Sequence, residues 1–237
     1  MVIESFFDSK PEMLSAVQAH LLQSIESAQQ KYGNALLALS GGSSPKPLYE
    51  SLAQQDLDWS RTRIALVDER WVDKDHPASN EAFIERCFSS GACQGLNIAG
   101  LKNQAKSAAA GLAAAEEQYR RLGRAFDFAL LGMGTDGHTA SWFPRADGLD
   151  DALSSQTNDQ QLLCVVHARQ SEVTGPYTER MTLNKHAVLN SSTVALMISG
   201  QEKFDVYQTA KNAAVQDHPV AALLQQQEKD IHVFYAP

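Results

Sequence analysis

The sequence is poor in cysteine, with only Cys87, Cys93 and Cys164 in 237 residues. The number is odd and no pair shows CxxC spacing, which argues against a disulfide framework or a structural zinc site. The thiols are expected to be buried or inert. Long apolar runs are missing too: no stretch approaches the roughly 18 apolar residues that a membrane span needs. The N-terminus, Met1-Val2-Ile3-Glu4-Ser5-Phe6-Phe7-Asp8, has an early acid and no basic n-region, so no signal peptide is expected. Positive charge is in the minority. Lys and Arg number 20 against 28 Asp and Glu, a formal net charge of -8. That argues against nucleic acid or a membrane as the main partner. A small anionic substrate stays open, because a local basic cluster overcomes a distant acidic surface. Linkers rich in Pro, Gly or Ser and internal repeats are absent as well. The expectation is a soluble cytoplasmic protein, one α/β domain over residues 1–237.

What is present is an alternation of short apolar runs and helical patterns. Strands are expected at Val2–Phe7, Ala35–Leu39, Ile64–Val67, Leu96–Ala99, Phe126–Leu131, Leu162–His167, Thr193–Ile198 and Ile231–Tyr235. Ser9-Lys10-Pro11-Glu12 is a capping box that opens a helix to about Gln30. Further helices are expected at Pro45–Gln54, from Ser79 to Cys87, at Ser107–Leu122, Gln201–Lys211 and Pro219–Gln227. Strands alternating with helices predict a mostly parallel sheet with helices on both faces, a three-layer α/β/α arrangement. The polar segment Asp147–Gln161 reads as a long surface loop.

Ligands of open α/β sheets bind beyond the carboxyl ends of the strands. Four loops follow strands directly: Ser40–Ser44, Asp68–Arg70, Gly132–His138 and Ser199–Lys203. Gly41, Gly42 and Ser43 open a helix, a pattern that binds phosphate through backbone N–H groups and the helix dipole. It fits equally a tight turn with Ser44 as N-cap. Gly132, Gly134 and Gly137 spell GxGxxG, but Pro144 cuts short the long helix a dinucleotide fingerprint needs, and the next strand ends at His167 rather than at an acid. No cofactor or metal is therefore expected. The loop instead presents Asp136 and His138, a carboxylate beside the side chain whose unperturbed pKa, roughly 6.5, allows proton transfer near neutrality. In Asp68-Glu69-Arg70, Arg70 suits a phosphate because guanidinium bonds two oxygens at once. In Arg180-Met181-Thr182-Leu183-Asn184, Thr182 reads as the N-cap of a helix through Val188. Lys203 stands near a helix start, where the dipole disfavours it. A cation aimed into an anion site explains it, and so does a surface lysine. The remaining histidines show no metal-ligand spacing and read as surface or packing residues, with His167 a possible lining of the cleft.

Taken together the chain resembles the 6-phosphogluconolactonase family, which groups with glucosamine-6-phosphate deaminases and ribose-5-phosphate isomerases in a Rossmann-like superfamily. The resemblance rests on Leu39–Pro45, Val67–Val72 with Ser79-Asn80, Gly132–Ser141 with Phe143-Pro144, Arg180–Leu183, and Gly200 with Lys203. Departures are Arg145 where the family usually has glycine, Trp142 for leucine, and Glu81 where an aromatic is common. The resemblance implies hydrolysis of 6-phospho-D-glucono-1,5-lactone without a metal. His138 would be the general base, with Asp136 or Glu69 orienting it. N–H groups near Gly41-Gly42 or Gly134 would hold the oxyanion. Arg70, Arg180, Lys203 and the Ser43 loop would grip the phosphate, with Asp68 and Glu69 also in the site. The partner implied is a phosphosugar lactone, and the protein a monomer or small homo-oligomer. Two rivals stand beside it. A glucosamine-6-phosphate deaminase typically follows its Asp-Gly-His with Ile-Ala-Phe-Asn-Glu, whereas this chain has no acid there. A non-catalytic sugar-phosphate-binding module usually carries a basic DNA-binding segment, and none is apparent.

Overall fold

The computed structural model describes residues 1–89, 93, 95–154 and 161–237. In its first half, β1 (Val2–Phe6), α1 (Lys10–Tyr32), β2 (Ala35–Leu39), α2 (Lys46–Leu52), β3 (Thr62–Leu66), β4 (Asp68–Arg70), α3 (Asn80–Phe88), β5 (Asn97–Ala99) and α4 (Ala108–Arg120) follow in order. Then come β6 (Phe128–Gly132), α5 (Leu149–Leu153), β7 (Leu163–His167), β8 (Glu179–Leu183), α6 (Lys185–Leu189), β9 (Thr193–Ser199), α7 (Gln201–Ala210), α8 (Ala221–Leu224) and β10 (Ile231–Ala236).

Seven strands pair in the order β1-β10-β9-β6-β2-β3-β5, every pair parallel, with helices flanking the sheet. Parallel strands buried on both faces read as continuous apolar runs, and all five residues of β2, Ala-Leu-Leu-Ala-Leu, are buried. α1 shows how an outer layer attaches. Ser9 caps it by accepting from the Glu12 N–H, and Gly33 ends it at a left-handed φ of 81°. Its buried stripe is Met13, Val17, Leu21, Ile25 and Ala28, the three-to-four spacing of one helix face. Each larger side chain of such a stripe contributes roughly 1.5–3 kcal/mol by leaving water. From β2 the chain builds outward through β3 and β5, then returns to the middle at β6 and builds the other way through β9 and β10. The reversal falls between β2 and β6, and such a switch point opens a crevice at the strand ends.

The structure adds a second sheet that the sequence pattern does not announce. β4, β8 and β7 form an antiparallel layer, with Asp68 opposite Thr182, Glu69 opposite Met181 and Arg70 opposite Arg180. Thr182 is thus a strand residue, and Asn184 caps α6 by accepting from the Ala187 N–H at 2.8 Å. Likewise α2 begins at Pro45 with no side-chain cap, so Ser44 is not one. The expected loop at 147–161 contains α5, and Asp147 pairs with His167; the part at 155–160 lies outside the described residues. The expected helix after Pro219 shortens to Ala221–Leu224. Among the described residues no helix is long and apolar enough to cross a membrane.

Candidate active site

The crevice is a cleft of about 350 Å³. The loop after β2 supplies Gly41, Gly42 and Ser43, β4 supplies Asp68 and Arg70, the loop after β6 supplies Gly134 and His138, and α7 supplies Lys203. Asn80 and Val173 also line it.

The Ser40–Pro45 loop is shaped to leave its amides free. Gly42 takes a φ of 100°, a backbone state that favours glycine. Among the described residues, the N–H groups of Gly41, Gly42 and Ser43 have no acceptor, which leaves a concave row of donors for an anion. Gly41 is also required by proximity: a Cβ there would meet the Asn80 Oδ1 at 2.0 Å. Asn80 in turn donates to the Asp68 carbonyl at 2.9 Å, tying α3 to β4. This role of Asn80 is not readable from local sequence, and only the Ser79-Asn80 pair of the family pattern hints at it.

The loop after β6 builds the acid–imidazole pair. His138 Nδ1 lies 2.5 Å from Asp136 Oδ1, which also accepts the His138 N–H at 3.1 Å. Burial pushes the Asp136 carboxyl up, but the hydrogen bond and charge of His138 outweigh it and hold the group below the usual range. An ionised carboxylate there keeps the ring proton on Nδ1 and leaves the Nε2 lone pair for a ligand. Gly134 closes the loop, its N–H donating to the His138 carbonyl at 2.9 Å. That amide is spent, so it is not an oxyanion donor. A Cβ on Gly134 would meet the imidazole at 2.2 Å, so glycine is required beside the ring. The imidazole stacks on Phe143 with centroids 4.4 Å apart.

Three cations, Arg70, Arg180 and Lys203, stand in or behind the cleft. Arg70 donates from Nη1 to the Ala78 carbonyl at 2.7 Å, while its Nε is buried without a partner. Arg180 sits beside it across the β4–β8 ladder. It is 3% exposed, behind the cleft wall rather than in it, and donates to the carbonyls of Tyr177 and Thr174. Burial pulls its pKa down to about 10, with Asp68 and Glu69 opposing and Arg70 adding to the fall, so it stays cationic at neutral pH. Among the described residues neither arginine forms an ion pair with a carboxylate. Lys203 lines the cleft, as an anion-site lysine should.

Glu69 departs from expectation. Its fully buried carboxylate accepts from the N–H groups of Arg70, Asn80 and Glu81 and from the Ser79 hydroxyl. It caps α3, so it neither touches His138 nor lines the cleft. Asp68 does line the cleft, but its Oδ2 is engaged by the Ser141 hydroxyl at 2.6 Å. Arg145 does not reach the cleft. It takes the left-handed φ of 53° at the family's glycine position and pairs with Asp217. Trp142 is fully buried, its indole donating to the Leu183 carbonyl at 2.8 Å. His167 lies on β7, outside the cleft lining.

Such a crevice, with Arg70, Lys203 and an acid-held imidazole in its lining, belongs to a Rossmann-like α/β domain with its ligand cleft at the strand ends. Comparison with known proteins narrows that class. A model of the glucosamine-6-phosphate isomerases/6-phosphogluconolactonase family matches residues 8–233, and the chain belongs to that family. A 6-phosphogluconolactonase of Pseudomonas aeruginosa is 34% identical over 219 residues, 91% of this chain and 88% of that one. One from Rhizobium meliloti is 32% identical over 207 residues, 86% of each chain. The crystal structure of a 6-phosphogluconolactonase from Shewanella baltica superposes with a TM-score of 0.91 at 34% identity, covering 100% of this chain and 98% of that one.

Proposed function

We propose that the protein hydrolyses 6-phospho-D-glucono-1,5-lactone to 6-phospho-D-gluconate in the oxidative pentose phosphate pathway, with residues 1–237 acting as one domain. A phosphorylated lactone does not cross a membrane unaided, so this reading places the enzyme in the cytoplasm. The observation that carries it is the juxtaposition in one cleft of Arg70, backed by Arg180 and like it without a carboxylate ion pair among the described residues, and an imidazole held by an acid. The first awaits an anion and the second awaits a proton.

His138 Nε2 takes a proton from water, which attacks the lactone carbonyl. The tetrahedral oxyanion meets the free N–H groups of Gly41 and Gly42, and its collapse breaks the bond to the ring oxygen, which takes the proton back from the imidazolium. Asp136 holds the ring and balances its transient charge, as a triad carboxylate does. Arg70 and Lys203, with Arg180 behind them, neutralise the phosphate, and Ser43 donates hydrogen bonds to it. Five positions after His138, where the deaminases carry a glutamate, stands Phe143, which favours lactone hydrolysis over sugar-ring opening.

The test is a coupled assay in which the lactone is generated from glucose 6-phosphate and its decay is compared with the buffer blank. Wild type should accelerate decay, His138→Ala should lose about 10²–10⁴-fold in kcat, and Arg70→Ala should chiefly raise KM. Ammonia release from glucosamine 6-phosphate would reverse the assignment to the deaminase. Tight 6-phosphogluconate binding without turnover would make the protein a binding module.

A further inference from the structure

We propose that Phe143 is a positioning residue for the general base, an inference that rests on His138 having that role. The bond from Nδ1 to Asp136 fixes one atom of the imidazole but leaves the ring free to tilt about that atom. Phe143 supplies the missing restraint: its ring stands 4.4 Å from the imidazole centroid with the planes 32° apart. The phenyl ring is itself immobilised. It is 3% exposed, and the Arg180 guanidinium carbon lies 5.2 Å from its centroid. The residues before it are clamped to β8 and β4. The Ser141 N–H donates to the Thr182 hydroxyl at 3.2 Å, the Ser141 hydroxyl to Asp68 at 2.6 Å, and the Trp142 indole to the Leu183 carbonyl at 2.8 Å. Ala140 accepts a φ of 50°, unusual for a residue with a Cβ, and Thr139 bridges Trp142, so the chain folds back to bring Phe143 under the histidine. One phenyl ring therefore touches both the base and a cation of the anion end. A flat ring restrains a tilt that a branched aliphatic side chain of similar volume does not.

Phe143→Leu removes the ring and Phe143→Tyr keeps it. In the coupled assay the leucine variant should lose about ten- to a hundredfold in kcat, the scale of a misplaced reacting group. Its KM and its affinity for 6-phosphogluconate should stay within about twofold of wild type, and the tyrosine variant should keep kcat within about threefold. Phe143→Met replaces the leucine variant if that protein does not fold. Nitrogen-15 and carbon-13 relaxation of the imidazole should show a rigid His138 ring in wild type and Phe143→Tyr, and a mobile one once the phenyl ring is gone. Wild-type kcat in Phe143→Leu, a change confined to KM, or unchanged mobility of the imidazole would each overturn the proposal. The spectra need no turnover, so a wild-type protein inert toward the lactone would sink the functional assignment while leaving this measurement to decide the role of Phe143.

Discussion

Lys203 occupies the turn of a helix where a lysine is least stable. It lies in the first turn of α7, whose free N–H groups already make that end positive. It also lines the cleft and is half-buried there. Burial pulls its pKa below the usual lysine range, with Glu202 and Asp136 opposing the fall. The sign of the consequence follows. A lowered pKa means that the charge is lost earlier as pH rises, so phosphate affinity should decline at a pH where an exposed lysine is still fully charged. Calorimetric binding of 6-phosphogluconate between about pH 7 and pH 9, below the range in which Arg180 titrates, reads this without the unstable lactone. Wild type should weaken toward alkaline pH, and Lys203→Arg should hold its affinity across the range because guanidinium keeps its proton. Equal pH dependence in the two proteins would remove Lys203 from the phosphate site.

At the scale of elements, β4 shows why neighbours in sequence part company in space. Side chains alternate faces along a strand. Asp68 and Arg70 therefore face the cleft, while Glu69 between them turns the other way and caps α3. Its carboxylate is pushed above the ordinary glutamate range by burial, a rise that the N–H groups of Asn80, Glu81 and Arg70 moderate. Glu69→Gln replaces one acceptor oxygen with a donor that faces other donors. Such a loss should cost roughly 1–3 kcal/mol of stability in a denaturant melt, with KM little changed. A large KM change with an unchanged midpoint would return Glu69 to the ligand. The central strands were legible because each is a local apolar run, as at Ala35–Leu39, where expected and observed bounds agree. The acid–imidazole pair was legible because both residues sit in one loop. β8 was not, because Glu179-Arg180-Met181-Thr182-Leu183 is short and partly charged, and only its pairing with β7 and β4 makes it a strand. Phe143 escaped for a related reason: its contact with His138 depends on a chain reversal at Ala140 that no local propensity announces.

Across the whole molecule, the parallel sheet has two ends with different work. All seven strands point their carboxyl ends at the cleft side, where cations stand unpaired and an imidazole waits for a proton. The opposite end is tied shut. Asp127, just before β6, accepts the Leu36 N–H at 2.7 Å and a two-pronged contact from Arg124, while its backbone bonds Leu36 and Thr193. One buried aspartate, through its carboxylate and its backbone, thus gathers the starts of β2, β6 and β9. Arg124 also reaches the Asn34 carbonyl at 2.8 Å, closing the turn out of α1. The Asp127 carboxylate and the Arg124 guanidinium are thus spent on partners inside the fold. Asp127→Ala would leave the Leu36 N–H without its acceptor and the Arg124 guanidinium without its carboxylate, with only the Asn34 and Ala125 oxygens to receive it, and breaking such a pair costs about 3 kcal/mol. For a chain of this size that corresponds to a melting temperature lower by roughly 6–12 °C. Because the change lies at the far end of the strands and shares no partner with the cleft, kcat and KM of the folded enzyme at 25 °C should stay within about twofold of wild type. Thermal melts and the coupled assay on the same preparation check both halves. If turnover fell together with the melting temperature, strand β6 would be transmitting the loss of its anchor to the loop that carries His138, and stability and catalysis would not be separable along this sheet.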